Sequence, residues 1–67
     1  MDYNVYDGGY GDVDEWFDDR DEAMQFYGSL RDECPTLTVT AYPVIINEHG
    51  HAITDGHNGV TIAGGDA

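Results

Sequence analysis

The chain has 67 residues, of which 14 are Asp or Glu, two are Arg and none is Lys, so its formal net charge is −12. This charge opposes binding to DNA, RNA or an anionic membrane and favours a basic protein partner. Residues 1–67 fit a single domain, which buries roughly 60% of its unfolded surface at this size, too little for a deep catalytic pocket. We therefore expect no enzymatic activity and no cofactor.

Cys34 is the only cysteine, which excludes an intrachain disulfide. The chain does not open with a basic region followed by an apolar run, and no apolar stretch approaches 18 residues. These features predict a cytoplasmic protein.

Residues 3–6 form a short β-prone run, and the glycines of residues 8–11 indicate a turn. Residues 12–17 are compatible with two structures. They can form a strand that pairs back on the first run, or they can begin a helix, because Asp12 and Glu15 have the spacing of a capping box.

A helix is predicted from about residue 19 to residue 33. Asp19 and Glu22 have the spacing of a second capping box. Pro35 is expected to end the helix. Apolar side chains recur at helical spacing through this segment: Ala23, Phe26, Tyr27, Leu30 and Cys34.

Residues 36–46 are predicted to be a strand, with Pro43 marking an edge or a bulge. Strands are also expected at residues 51–54 and 60–63, each after a turn. The alternation of the long strand turns Leu37, Val39 and Ala41 toward the helix, and Thr38, Thr40 and Tyr42 away from it. The pattern predicts an α+β fold, with a small antiparallel sheet of three to four strands and one helix packed on one face.

The segment 12–22, DVDEWFDDRDE, contains seven carboxylates and one arginine. Residues 1–33 have a net charge of −9 and residues 34–67 only −3. If residues 12–22 are helical, several carboxylates lie three and four positions apart and form a row. A solvated face for solubility is one interpretation of this asymmetry, and a surface for a basic partner is the other.

Partner binding is assigned to two groups of residues. The aromatic side chains of residues 3–27 can belong to the core or can anchor the interface. For the core we expect Phe26, Tyr27 and either Trp16 or Phe17. The acidic candidates are Asp12, Asp14, Glu15, Asp18, Asp19, Asp21, Glu22, Asp32 and Glu33, and the aromatic candidates are Tyr6, Tyr10 and Trp16.

Zinc or nickel could be bound by three histidines with Glu48 and Asp55 nearby: His49, His51 and His57. They lie in or beside predicted turns with no cysteine pair nearby, so we interpret them as surface residues and expect no metal. Acid pairs also suggest a glycosidase or a calcium loop, but the chain offers little room for a cleft and lacks the glycine of an EF-hand.

The segment DVDEWFDDRDE, the helix over residues 23–30 and the small size resemble the small acidic phage anti-CRISPR proteins of the DNA-mimic type. This resemblance implies an inhibitor in the host cell cytoplasm that binds a CRISPR surveillance complex, with type I favoured. The acidic face would occupy the basic site that recognises target DNA or the protospacer-adjacent motif.

Two alternatives remain. An acidic DNA mimic could inhibit another nucleic-acid enzyme, such as a restriction system, and the same electrostatics would apply. A soluble accessory domain of the halophile type would use its carboxylates for solubility without mimicry.

Overall fold

The computed structural model describes residues 1–8 and 13–64. The elements in chain order are β1 (Asp2–Asp7), β2 (Val13–Phe17), α1 (Arg20–Leu30), β3 (Thr38–Tyr42), β4 (Val44–Ile46), β5 (Ala52–Thr54) and β6 (Val60–Gly64). Four strands form an antiparallel sheet in the order β2-β1-β3-β6, and β4 and β5 form a separate two-stranded sheet. The predicted α+β class is confirmed. An antiparallel sheet of four strands is present, as predicted, and β4 and β5 add a second sheet that the sequence pattern did not indicate.

Strand β1 lies inside the larger sheet and pairs on both sides. Val5 is opposite Glu15 of β2 and opposite Val39 of β3. Successive side chains of a strand point to opposite faces, so Val5 and Asp7 share one face while Asn4 and Tyr6 share the other. Val5 and Val39 are both fully buried, and the face on which they lie therefore contains the core.

The core is a small cluster in which Ala23 of α1 is buried together with strand residues. Phe17 and Phe26 are packed against this cluster, with their ring centroids 5.4 Å apart. Of the neighbours Trp16 and Phe17, Phe17 is thus the core residue, while Trp16 is 53% exposed. The buried members are Val5, Ala23, Cys34, Leu37 and Val39.

Residues 13–17 form a strand, and the alternative of a helix over residues 12–17 is wrong for the described part. Val13 is opposite Asp7 and Phe17 is opposite Tyr3. Both side chains therefore reach the core face at the two-residue period of a strand, which a helix would not allow. Asp12 lies outside the described residues.

Helix α1 begins where the sequence predicts but ends three residues earlier. Asp19 is the N-cap, and its Oδ1 accepts a hydrogen bond of 2.8 Å from the backbone N–H of Asp21. The helix ends at Leu30, and the N–H groups of Glu33 and Cys34 donate to the Leu30 carbonyl in the following turn. Pro35 disfavours helical backbone at Cys34, and residues 31–33, between the end of the helix and this point, form a turn.

The predicted strand over residues 36–46 is divided at Pro43, which lies between β3 and β4. Proline has no N–H to donate to a sheet, and here its carbonyl accepts a hydrogen bond of 2.8 Å from the N–H of Asp55. Leu37, Val39 and Ala41 are buried, as their alternation predicts. The last two strands are found within one residue of their predicted bounds.

A buried polar contact joins β1 to the segment before β3. Asp7 is 1% exposed, and one of its carboxylate oxygens accepts a 2.6 Å hydrogen bond from the hydroxyl of Thr36. The thiol of Cys34 is next to the same carboxylate, and burial, followed by the charge of Asp7, raises the pKa of Cys34. Nothing in the sequence pattern identified Asp7 as a buried residue.

Gly64 provides a test of the β3–β6 pairing. Its φ is +71°, and a Cβ at this position would clash with the carbonyl oxygen of Leu37. We expect Gly64→Ala to lower the free energy of unfolding by about 2 kcal/mol or more, measured by urea denaturation. The control is Gly28→Ala in α1, where the added methyl meets no atom within 4 Å. A Gly64→Ala protein as stable as the wild type would contradict this pairing.

Cys34 provides a second test. A protonated thiol is a poor nucleophile, so we expect iodoacetamide to modify native Cys34 about tenfold or more slowly than the urea-unfolded chain at pH 8. Cys34→Ala combined with Ser29→Cys is the control, because Ser29 is exposed. The thiol introduced at position 29 should react at nearly the rate of the unfolded chain. If native Cys34 reacts as fast as that thiol, this part of the core is open to solvent.

Candidate functional site

The predicted acidic residues lie on three consecutive pieces of structure. The part described here, called the acidic surface below, has two residues on β2, two in the turn that follows and two in the first turn of α1, and all six are exposed. The six are Asp14, Glu15, Asp18, Asp19, Asp21 and Glu22. Asp12 and Tyr10 are outside the described residues.

The expected helical row of carboxylates does not exist, because the segment is strand, turn and helix. Asp14 and Glu15 are neighbours on β2 and therefore point to opposite faces of the sheet. Asp32 and Glu33 follow the other end of α1, whose 11 residues span about 16 Å. The structure thus keeps these two residues apart from the acidic surface.

None of the carboxylates of the acidic surface forms an ion pair with an arginine among the described residues. Within residues 1–8 and 13–64, the one ion-pair contact is between His49 and Glu48, at 3.8 Å. Arg20 and Arg31 are both exposed and pair with none of the described carboxylates. Within the described ranges, no ion pair therefore offsets the negative charge of this surface.

Two acidic residues have structural tasks as well. Asp14 accepts a hydrogen bond of 2.8 Å from the side-chain amide of Asn4, which is itself buried and also donates to the Glu15 carbonyl at 3.3 Å. Asp19 is the N-cap of α1. Substitution of Glu15, Asp18 or Glu22 is therefore expected to disturb the fold least.

An open groove of about 500 Å³ lies at one edge of the acidic surface. Three of its six lining residues are carboxylates, and one is the exposed Trp16. The lining consists of Asp2, Trp16, Phe17, Asp18, Glu22 and Thr54. An aromatic face beside carboxylates suits a guanidinium or ammonium group, which gains cation–π attraction and charged hydrogen bonds together.

The orientation of Trp16 depends on Tyr42, a residue absent from the predicted set. Their ring centroids are 5.4 Å apart, and the planes are inclined at 39°. A Cβ on Gly59 would overlap the Tyr42 ring, so this glycine leaves the space that the ring occupies. The predicted alternation of β3 already placed Tyr42 on the face away from the core, which was the available signal.

Tyr6 lies on the same face of the sheet as Trp16. Tyr6 is opposite Asp14 and Asn4 is opposite Trp16, and these two β1 residues are two positions apart. Tyr6 is 50% exposed. The structure therefore brings Tyr6 and Trp16 to one surface with Asp14.

The histidine region is organised by turns. The side-chain oxygen of Asn47 accepts from the N–H groups of His49 and His51 at 2.9 and 3.0 Å. Hydrogen bonds from the Asn58 amide and from the His57 N–H lower the pKa of Asp55. Among the described residues, no group of three or more His, Cys, Asp or Glu side chains is arranged to hold a metal ion.

Gly59→Ala tests the packing that supports Trp16. The new methyl must displace the Tyr42 ring, so we expect the tryptophan emission maximum and the near-ultraviolet circular dichroism to change while most of the fold is retained. Gly56→Ala is the matched control, since a methyl there meets nothing within 4 Å. Identical spectra for both variants would contradict the Trp16–Tyr42 contact.

No helix in the described ranges is both long enough and apolar enough to span a membrane. Comparison of the chain with protein-family models, with curated proteins and with solved structures finds no match.

Proposed function

We propose that this protein is a non-enzymatic inhibitor that binds the DNA-binding site of a basic protein in place of DNA. The observation that carries the proposal is the acidic surface, whose six exposed carboxylates have no ion pair with either described arginine. Concentrated like charge destabilises a folded chain, and a partner rich in Lys and Arg would remove that repulsion. Duplex DNA offers such a partner one negative charge per about 1.7 Å of its axis.

The groove gives the acidic surface a second means of recognition. An arginine of the partner can stack on Trp16 while its guanidinium contacts Asp18 and Glu22, which line the same groove. Carboxylates alone attract any cation, but an aromatic side chain that lines the same groove as two carboxylates favours a planar one. Tyr6 extends the contact along the sheet, and Tyr and Trp are frequent energetic centres of interfaces.

The proposed arrangement leaves one face of the larger sheet for the partner. We propose that α1 covers the opposite face, which is supported by the burial of Ala23 in one cluster with Val5 and Val39. Trp16 and Tyr6 are exposed, whereas Phe17 is packed against this cluster. This division supports a partner contact by Tyr6, Asp14 and Trp16 on one face of the sheet, whereas Glu15 is on the other face.

The proposed target is a type I CRISPR surveillance complex in the host cell cytoplasm, where the protein would block recognition of target DNA or of the protospacer-adjacent motif. CRISPR effectors hold nucleic acid in positively charged channels and read that motif with arginines, which suits the acidic surface. A restriction enzyme would present similar electrostatics and is the alternative target. The halophile-type interpretation is less well supported, because residues 1–33 have a charge of −9 and residues 34–67 only −3.

Neutralising the groove tests the proposal. We expect Asp18→Asn combined with Glu22→Gln to weaken binding by about tenfold, because two charge-assisted contacts are lost. The measurement is competition with a labelled target duplex for a purified type I surveillance complex. Asp19 is left unchanged because it caps α1.

Glu48→Lys is the control, since it also raises the net charge from −12 to −10 but lies outside the acidic surface. It should bind as the wild type does. Equal loss in both variants would mean that only total charge matters. Absence of displacement and of co-elution at about 0.1 M salt would exclude this target, and inhibition that fails to weaken as salt rises would exclude the electrostatic mechanism.

A further inference from the structure

The turn between the β4–β5 hairpin and β6 contains the neighbours Asn58 and Gly59, which are both exposed. The side-chain nitrogen Nδ2 of Asn58 donates a hydrogen bond of 2.6 Å to Oδ2 of Asp55. The other oxygen of the same carboxylate accepts a hydrogen bond of 3.0 Å from the N–H of His57. The turn is therefore organised by Asp55 and depends in part on the amide group of Asn58.

An asparagine that precedes a glycine is open to attack by the backbone. Glycine has no Cβ, so the chain can bring the backbone nitrogen of the glycine against Cγ of the asparagine. Gly59 lies just before the first residue of β6, and its N–H donates to no backbone carbonyl of the described loops. The nitrogen of Gly59 is therefore not held back by a hydrogen bond in this turn.

The other two asparagines of the chain lack this combination. Asn4 is buried in β1, and its side-chain amide donates two hydrogen bonds. The side-chain oxygen of Asn47 accepts hydrogen bonds from two backbone N–H groups. The residues that follow them, Val5 and Glu48, have side chains that crowd the approach of the backbone nitrogen, whereas Gly59 has none.

We propose that Asn58 is a site of spontaneous deamidation in the folded protein. The backbone nitrogen of Gly59 forms a bond to Cγ of Asn58, and the bond between Cγ and Nδ2 breaks. Nδ2 leaves as ammonia and takes the proton of the Gly59 nitrogen, which leaves a cyclic succinimide. Water then opens the ring at either carbonyl and gives aspartate or isoaspartate at position 58. Each product adds a negative charge to the turn.

The added charge replaces a hydrogen-bond donor with an acceptor. In the aspartate product, two carboxylates meet where Nδ2 of Asn58 now lies 2.6 Å from Asp55. The hydrogen bonds from Asn58 and His57 lower the pKa of Asp55, which is therefore ionised at neutral pH. Two like charges at this separation repel each other and weaken the turn. In the isoaspartate product, the backbone before Gly59 also becomes longer by a methylene group.

The change reaches the groove through Gly59. A Cβ at this position would overlap the Tyr42 ring, so the backbone of Gly59 packs closely against that ring. Tyr42 is in turn the neighbour of Trp16, with 5.4 Å between the ring centroids. A displaced turn therefore alters the support of Trp16. The chemistry at Asn58 does not depend on the partner of the acidic surface.

Incubation of the native protein in mildly alkaline buffer tests the proposal. Peptide mapping by mass spectrometry measures the conversion at each asparagine, while circular dichroism verifies that the chain stays folded. We expect conversion at Asn58 to exceed that at Asn4 or Asn47 by about tenfold or more, because only Asn58 precedes a glycine. If Asn58 is converted in the urea-unfolded chain but no faster than the other two in the native one, the proposal is overturned.

Asn58→Gln is the control, because its longer side chain closes a ring much more slowly. Enzymatic methylation of isoaspartate should detect most of the product in the wild type and little of it in this variant. An equal amount in both proteins would assign the reaction to Asp55, which precedes Gly56, and would overturn the assignment to Asn58.

Asn58→Asp reproduces the aspartate product and tests its effect. It should lower the melting temperature by about 4 °C more than Asn58→Ser, which removes the amide without adding a charge. It should also shift the tryptophan emission maximum, and salt should reduce both effects by screening the repulsion. Identical melting temperatures and spectra for the two variants would contradict the repulsion at Asp55 and its transmission to Trp16.

Discussion

The pairing of β1 with strands on both of its sides is the constraint on which the rest of the structure depends. Val5 is fully buried between β2 and β3, and Asp7 and Asp2 extend the attachment of this strand through hydrogen bonds to Thr36 and Thr54. Both hydrogen bonds join residues far apart in the chain. A domain with so small a core thus gains its order from one strand that pairs with β2 and β3, contacts α1 and is hydrogen-bonded to β5.

The pairing of β1 with β2 also determines where the carboxylates lie. Because β2 is the outer strand beside β1, its carboxylates lie on a sheet edge, where they discourage pairing with other chains. The turn and the first turn of α1 continue the same negative surface, and there the positive end of the helix dipole partly offsets the repulsion. The acidic residues therefore occupy positions where they stabilise a helix or protect an edge, in addition to any role in binding.

Sequence patterns predicted the fold class, the helix and most strand positions, because apolar periodicity and turn residues are local signals. They failed where a distant contact decides the outcome. Residues 13–17 are a strand because β1 offers a free edge, although their capping spacing suits a helix equally well. Asp7 is buried where Thr36 and Cys34, both distant from it in the sequence, contact its carboxylate. Trp16 and Tyr42 form a pair only through the register of two strands with β1.

The way in which the hairpin joins the sheet has an evolutionary consequence. Tyr42 ends β3, Val60 begins β6, and these two strands pair directly with each other, so residues 43–59 form an excursion from one longer hairpin. The backbone bond between Pro43 and Asp55 closes this excursion at its base. Its length and composition can therefore change by insertion or deletion while the four-stranded sheet keeps its register. Related chains can diversify this segment and still display the same acidic surface.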